Sequence, residues 1–205
     1  MFQKARTTPV NQSVRVNILR AVFILCLPLI LFSRSAWPDG PAFELVEVLG
    51  LACVMAAVLG RFWAILYIGG HKNNTVMQDG PYSISRHPLY MFSTIGVVGF
   101  GLMLGSFVLA AVMGGLTLAI LGVTARKEEA YLRSRFGDAY DAYAARVPMI
   151  IPKPSLFATR SSLTISVPHL RQNLMDALVF LLFVPIAKSM EILKNDGLIS
   201  SFAIW

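Results

Sequence analysis

Two stretches of this sequence stand out as candidates for acid, base or ionic chemistry. One is Asp79-Gly-Pro-Tyr-Ser-Ile-Ser-Arg-His-Pro-Leu-Tyr90; the other begins at Glu128-Glu129 and runs to Pro152. Asp79-Gly-Pro-Tyr82 is a turn signal, and Pro88 suits the first turn of a helix, where its missing N–H is not needed. A helix is therefore predicted to start near His87. Its N–H groups and partial positive charge would lie beside Arg86 and His87, an arrangement suited to an anion. His87 and Tyr90 are three residues apart and Arg86 and Tyr90 four, so these side chains can share one end of a pocket.

In the second stretch Leu132, Phe136 and Tyr140 repeat at i, i+4 and i+8 and Tyr143 follows, the pattern of an amphipathic helix broken or kinked at Gly137. Glu129 can pair with Arg133 one turn on. Glu128 lies about 100° around the helix and does not share that direction, so at least one of the two is expected to be structural. Tyr131, Tyr140 and Tyr143 have packing or membrane-interface anchoring as alternative roles. For Arg146 the alternative is contact with lipid headgroups.

The elements that must position these groups are apolar. Of 205 residues, 56% are hydrophobic and 14% charged, with a mean hydropathy of +0.63. That excludes an ordinary soluble domain and intrinsic disorder. The net charge of +7 comes without a basic and aromatic RNA-binding pattern, so it reads as charge beside a membrane, with no nucleic-acid partner. Cys26 and Cys53 lie inside apolar runs and suggest no disulfide framework, which leaves the redox compartment open. His71 and His169 have no second ligand at metal spacing, and no metal site is assigned.

Apolar runs recur at 18–37, 45–69, 88–105, 107–125 and 174–190, each near the ~20 residues that cross a ~30 Å hydrocarbon core. The first is the weakest, bracketed by Arg20 and Arg34 and interrupted by Pro28; no clean cleavage site follows it, so a signal peptide fits poorly. Only Ser106 separates the third and fourth runs, with Gly101 and Gly105 nearby, which demands a tight helical hairpin. The prediction is an all-α integral-membrane bundle of about five spans. Residues 1–125 would form the membrane bundle, 126–153 a small cytoplasmic helical cap carrying the chemistry, and 154–205 a linker plus the fifth span.

Fifteen Lys and Arg, including Lys4, Arg6, Arg15, Arg20, Lys72 and those from Arg126 to Arg171, fall on one side of this arrangement, against Arg34, Lys188 and Lys194 on the other. The positive-inside rule then puts the amino terminus and 126–172 in the cytoplasm and Trp205 on the far side, with the site facing the cytoplasm and the inner membrane as the location in a bacterium. Arg61 and Glu47 within the second run are expensive in lipid. They invite a functional reading, with snorkelling to an interface as the alternative. Oligomeric state is not legible.

In combination, Gly80-Pro-Tyr82, Arg86-His-Pro88 and Tyr90, a hydrophobic hairpin, then Glu128-Glu129, Leu132, Phe136-Gly137, Tyr140, Tyr143, Arg146-Val-Pro148 and Ile151-Pro152 closely resemble the isoprenylcysteine carboxyl methyltransferase family of integral-membrane enzymes. The same pattern is more remotely similar to membrane phospholipid N-methyltransferases. The resemblance covers about residues 45–153. It implies S-adenosylmethionine as cofactor, contacted by Tyr82, Arg86, His87, Pro88, Tyr90, Glu128, Glu129, Tyr140 and Tyr143, with Arg146 and Glu129 as catalytic residues near the methyl-transfer site. The chain departs from many members at Met91-Phe92-Ser93, where a glycine is common, and in the tail from 155 to 205.

The residue types agree with that cofactor. Its carboxylate calls for Arg, His or helix N–H donors, its ammonium and ribose hydroxyls for carboxylate or backbone oxygen, and its adenine for an aromatic face. Methyl transfer needs alignment in a dry site more than it needs a metal or a covalent nucleophile. The acceptor implied is a small apolar or amphipathic molecule from the bilayer, with an isoprenylcysteine-type carboxylate favoured and a phospholipid amine as the alternative. A membrane reductase using a nicotinamide cofactor is a rival, without the Gly-x-Gly-x-x-Gly fingerprint. A non-enzymatic membrane protein or small transporter is another, without evident repeats.

Overall fold

The computed structural model describes residues 12–36, 40–69, 75–163, 165 and 167–204. Lys4, Arg6, Trp37, His71, Lys72, Trp205 and the side chain of His169 lie outside the described residues. Three helices are long and apolar enough to cross a membrane: α1 (Gln12–Phe32), α2 (Pro41–Ile68) and α5 (Phe107–Phe136). Between α2 and α5 come a single turn, α3 (Pro81–Ile84), and a shorter apolar helix, α4 (Pro88–Met103). Their outward faces are apolar; Leu25 is 77% and Ile24 66% exposed, which water would not tolerate over so many neighbours and a lipid environment does. The chain is thus an integral-membrane helical bundle.

The centre of the bundle is the crossing of α2 and α4. A Cβ on Gly99 would stand 2.6 Å from the carbonyl oxygen of Gly50, so only glycine permits the two backbones to meet there. Around that crossing Val54, Phe100, Met103, Leu109 and Met113 form the main core. The turn from α4 to α5 is as short as the sequence demands, and the Ser106 hydroxyl caps α5 by accepting the Leu109 N–H at 3.1 Å.

The fifth apolar run differs from its sequence reading. Residues 174–190 are divided among α7 (Val167–Leu178), a 3-10 turn (Val179–Leu182) and α8 (Phe183–Asn195), none of them of spanning length. Pro185 explains the break, because it cannot donate the helical hydrogen bond to Leu181. These pieces still belong to the bundle: Phe180, Phe183 and Val184 pack on the main core, with the Phe100 and Phe183 rings 4.7 Å apart. A two-stranded parallel ribbon, β1 (Ser33–Ser35) with β2 (Phe202–Ile204), ties the chain's end to the end of α1.

The polar stretch after residue 125 does not start a new helix. α5 runs unbroken from its apolar part, 107–125, through three further turns to Phe136. Gly137, at φ 53°, then reverses the chain into α6 (Asp138–Arg146). That left-handed conformation is cheap only for glycine, and the break falls where the sequence placed it.

Candidate active site

The segment after α6 lies along the start of α4. The Arg86 N–H donates to Pro148 O at 2.9 Å, His87 N–H to Met149 O at 3.0 Å and Lys153 N–H to Ile84 O at 2.9 Å. α4 begins as predicted, with His87 at the cap and Pro88, fully buried, in the first turn. Four N–H groups around it, however, are already engaged. Those of Arg86 and His87 are taken by the 148–149 carbonyls, and those of Tyr90 and Met91 by His87 O. The anions at this helix start are the protein's own carboxylates.

Glu129 Oε1 accepts from Arg86 Nε at 2.8 Å and lies 3.3 Å from His87 Nε2. On the other side of the ring, Glu128 Oε2 is 3.8 Å from His87 Nδ1. The two glutamates therefore straddle one imidazole, although Glu128 does not share Glu129's direction on the helix. Adjacent helix positions diverge by about 100°, but the ring nitrogens also face different ways, so divergent carboxylates close on one ring. The expected Glu129–Arg133 pair is absent: Arg133 Nε reaches across Gly137 to Asp141 Oδ1 at 2.7 Å, leaving Glu129 for Arg86 and His87. Arg86 is held further by Ala144 O and by Val147 O, the latter at 2.9 Å.

His87 stacks on Tyr90, ring centroids 5.3 Å apart at an interplanar angle of 3°. The Tyr90 hydroxyl accepts from Arg15 Nη1 at 2.6 Å, and that nitrogen is also 3.7 Å from Glu128 Oε1. Arg15 was counted in the sequence only as a basic residue. Nothing local marks it, since its partners lie far along the chain. Burial pushes the Glu129 carboxyl up, but the hydrogen bond from His87 and the charge of Arg86 outweigh it and hold the group below the ordinary carboxylate value.

Of the aromatic candidates, Tyr140 and Tyr143 form the buried centre of the cap with Val147, Leu132 and Phe136. Tyr143 donates to Tyr82 O at 2.7 Å, while the Tyr82 ring packs with Ala64 and Tyr67. Burial raises the hydroxyl pKa of Tyr140 and Tyr143 alike, so both remain donors. The Tyr140 hydroxyl is buried without a hydrogen-bond partner among the described residues. Arg146 is exposed; its Nη2 donates to Gln78 Oε1 at 2.8 Å. It lines a cleft of about 480 Å³ with Arg86, Val147, Met149 and Lys153. The structure thus brings Arg86, His87, Tyr90, Glu128 and Glu129 into one cluster and leaves Arg146 outside it, exposed in the cleft that Arg86 also lines.

A bundle of apolar helices with a charged cluster folded under a small polar cap defines a class of membrane protein, and residues 45–139, from α2 into α6, match the phospholipid methyltransferase family. Over most of its length the chain is similar to the cobalt-zinc-cadmium resistance protein CzcN of Cupriavidus metallidurans, with 33% identity over 90% of this chain and 85% of that protein. It is likewise similar to the nickel-cobalt-cadmium resistance protein NccN of Alcaligenes xylosoxydans xylosoxydans, with 32% identity over 93% and 89%. A shorter match, 35% identity over 40% of this chain and 35% of its counterpart, is to the protein-S-isoprenylcysteine O-methyltransferase of Schizosaccharomyces pombe. No solved structure matches. The chain belongs to the family of CzcN and NccN, and within it residues 45–139 carry the phospholipid methyltransferase match. The family resemblance read from the two motifs is borne out.

Proposed function

We propose that this protein is an S-adenosylmethionine-dependent methyltransferase acting on an apolar or amphipathic acceptor, with methylation of a carboxylate favoured. The observation that carries the reading is the convergence of Arg86, His87, Glu128 and Glu129 at the start of α4, inside the region matched by the methyltransferase family. The residues fit the cofactor's chemistry. Glu128 and Glu129 suit an ammonium and ribose hydroxyls, Arg86 and His87 suit a carboxylate in exchange for the glutamates they now hold, and the Tyr140 hydroxyl, without a hydrogen-bond partner among the described residues, offers a further buried donor.

Held by Glu128, Glu129, Arg86 and His87, the cofactor would supply an electrophilic methyl group to the acceptor. The protein's part is to hold and orient. In this reading Glu129 fixes His87 and Arg86, Tyr90 backs the His87 ring, the cap excludes water, and Arg146 works at the reacting end of the cleft. The charge asymmetry of the sequence supports a cytoplasmic site. The metal resistance in the names of CzcN and NccN supplies one arm of the test.

The test is thermal unfolding of the detergent-solubilised protein with S-adenosylhomocysteine, NADPH or cobalt(II). S-adenosylhomocysteine should raise the melting temperature by mass action. Stabilisation by NADPH alone would favour a reductase instead, and stabilisation by cobalt alone a metal-binding role.

A further inference from the structure

Arg61 is a cation that the cluster does not use. It sits on α2, seven residues before the helix ends at Ile68, which is about 10 Å inside that end at 1.5 Å per residue. Its Nη1 donates to the Ser93 hydroxyl on α4, and its guanidinium lies over the Phe180 ring, 5.3 Å from the centroid. Phe180 takes this position by packing where a side chain at Gly96 would stand. The Arg61 Nε is buried and has no hydrogen-bond partner among the described residues. No carboxylate among the described residues forms an ion pair with it; the charge of Asp176, an exposed residue of α7, reaches it only at longer range. Arg86 and Arg15 at the same end of the bundle each face a glutamate.

A guanidinium between apolar helices is costly unless an opposite charge satisfies it. Ser93 supplies only a neutral oxygen, and that hydroxyl's own hydrogen goes to Leu89 O at 2.7 Å. Arg61 therefore has unspent donor capacity. It expresses it on α4 six residues past His87, about 9 Å deeper along the helix. The position is between the charged cluster and the middle of the bundle, where the headgroup of a molecule arriving from the bilayer would come to rest before meeting the cluster.

We propose that Arg61, walled by Phe180 and braced by Ser93, binds the anionic oxygen headgroup of a membrane-borne amphiphile, a carboxylate or a phosphate, and so selects the acceptor. This rests on the methyltransferase reading above, and makes Arg61 a specificity-determining residue outside the two sequence motifs.

The experiment is thermal unfolding in a neutral maltoside detergent at pH 8, with dodecanoate, dodecyl phosphate, dodecanol or dodecyltrimethylammonium added to wild type and to Arg61→Met. At least one of the two anions should give a saturable rise in melting temperature that the neutral and cationic chains of equal length do not, and the more effective anion identifies the headgroup. Arg61→Met should lose that response, keep the shift caused by S-adenosylhomocysteine, and be no less heat-stable than wild type, since an unmatched charge is replaced by an apolar side chain of similar length. Equal responses to anionic and neutral chains in wild type, a comparison that needs no variant, would overturn the proposal. So would a Met variant that still answers to the anion. A wild type that answers to the anion but not to S-adenosylhomocysteine would keep the anion site and remove the methyltransferase reading.

Discussion

The two ends of α4 hold similar residue types to different effect. At the His87 end, Glu129 and Arg86 have side chains 7% and 12% exposed and are joined by a 2.8 Å hydrogen bond, and three segments distant in sequence meet there. At the Met103 end, Lys188 on α8 pairs with Glu47 on α2 and, at 2.9 Å, with Glu191, but its side chain is 49% exposed. A cleft of about 360 Å³ beside it is lined by Arg34, Phe43, Met103, Glu191 and Lys194 among others. Water screens the second set, whereas in the first each charge depends on the others. Charge organises one end of the bundle and close backbone packing the other.

The comparison is broken most forcefully by Glu129→Ala. It leaves the buried Arg86 without its carboxylate and should cost about 3–5 kcal/mol of unfolding free energy, read as a large drop in melting temperature. Next comes the packed end: Gly99→Val inserts atoms where Gly50 O stands and should cost about 1–3 kcal/mol in the same assay. A loss at Gly99 no larger than that at the nearby ion pairs would contradict the claim that packing holds this end.

Acidification sharpens the contrast. The folded-state pKa of Glu129 lies below its ordinary value, so its contribution to stability is complete above the ordinary carboxyl range, near about 4.3, and is lost as pH falls through that range towards the folded value. Melting temperature followed from pH 7 to pH 3 should therefore fall more steeply for wild type than for Glu129→Gln. Smallest is Lys188→Ala at the exposed end, expected to cost about 0–1 kcal/mol. A larger loss would mean that the exposed network is not screened as its position implies.

Local chemistry made the site's frame legible in the sequence. Pro88 announced the start of α4, Gly137 the reversal in the cap, and Ser106 the hairpin. Each is a residue whose backbone or cap preference acts within one turn. What escaped was set by distance or by reach. Arg15 joins Tyr90 through a contact 75 residues apart that no periodicity encodes. Glu128 and Glu129 diverge at the helix surface and converge at their tips, which a helical wheel does not represent. The fifth apolar run was read by composition, while Pro185 and the packing of Phe180 and Phe183 on Phe100 decided how it folds.

The central claim is that the His87 end is the methyl-donor site. Isothermal titration of S-adenosylhomocysteine into wild type, His87→Ala, Arg146→Ala and Lys188→Ala tests it most directly, with a circular-dichroism check that each variant is folded. The account predicts binding to wild type and Lys188→Ala alike, a loss of about 1–3 kcal/mol in His87→Ala, and near-normal binding by Arg146→Ala, whose defect should appear in turnover. Undiminished affinity in His87→Ala, or a loss confined to Lys188→Ala, would contradict it.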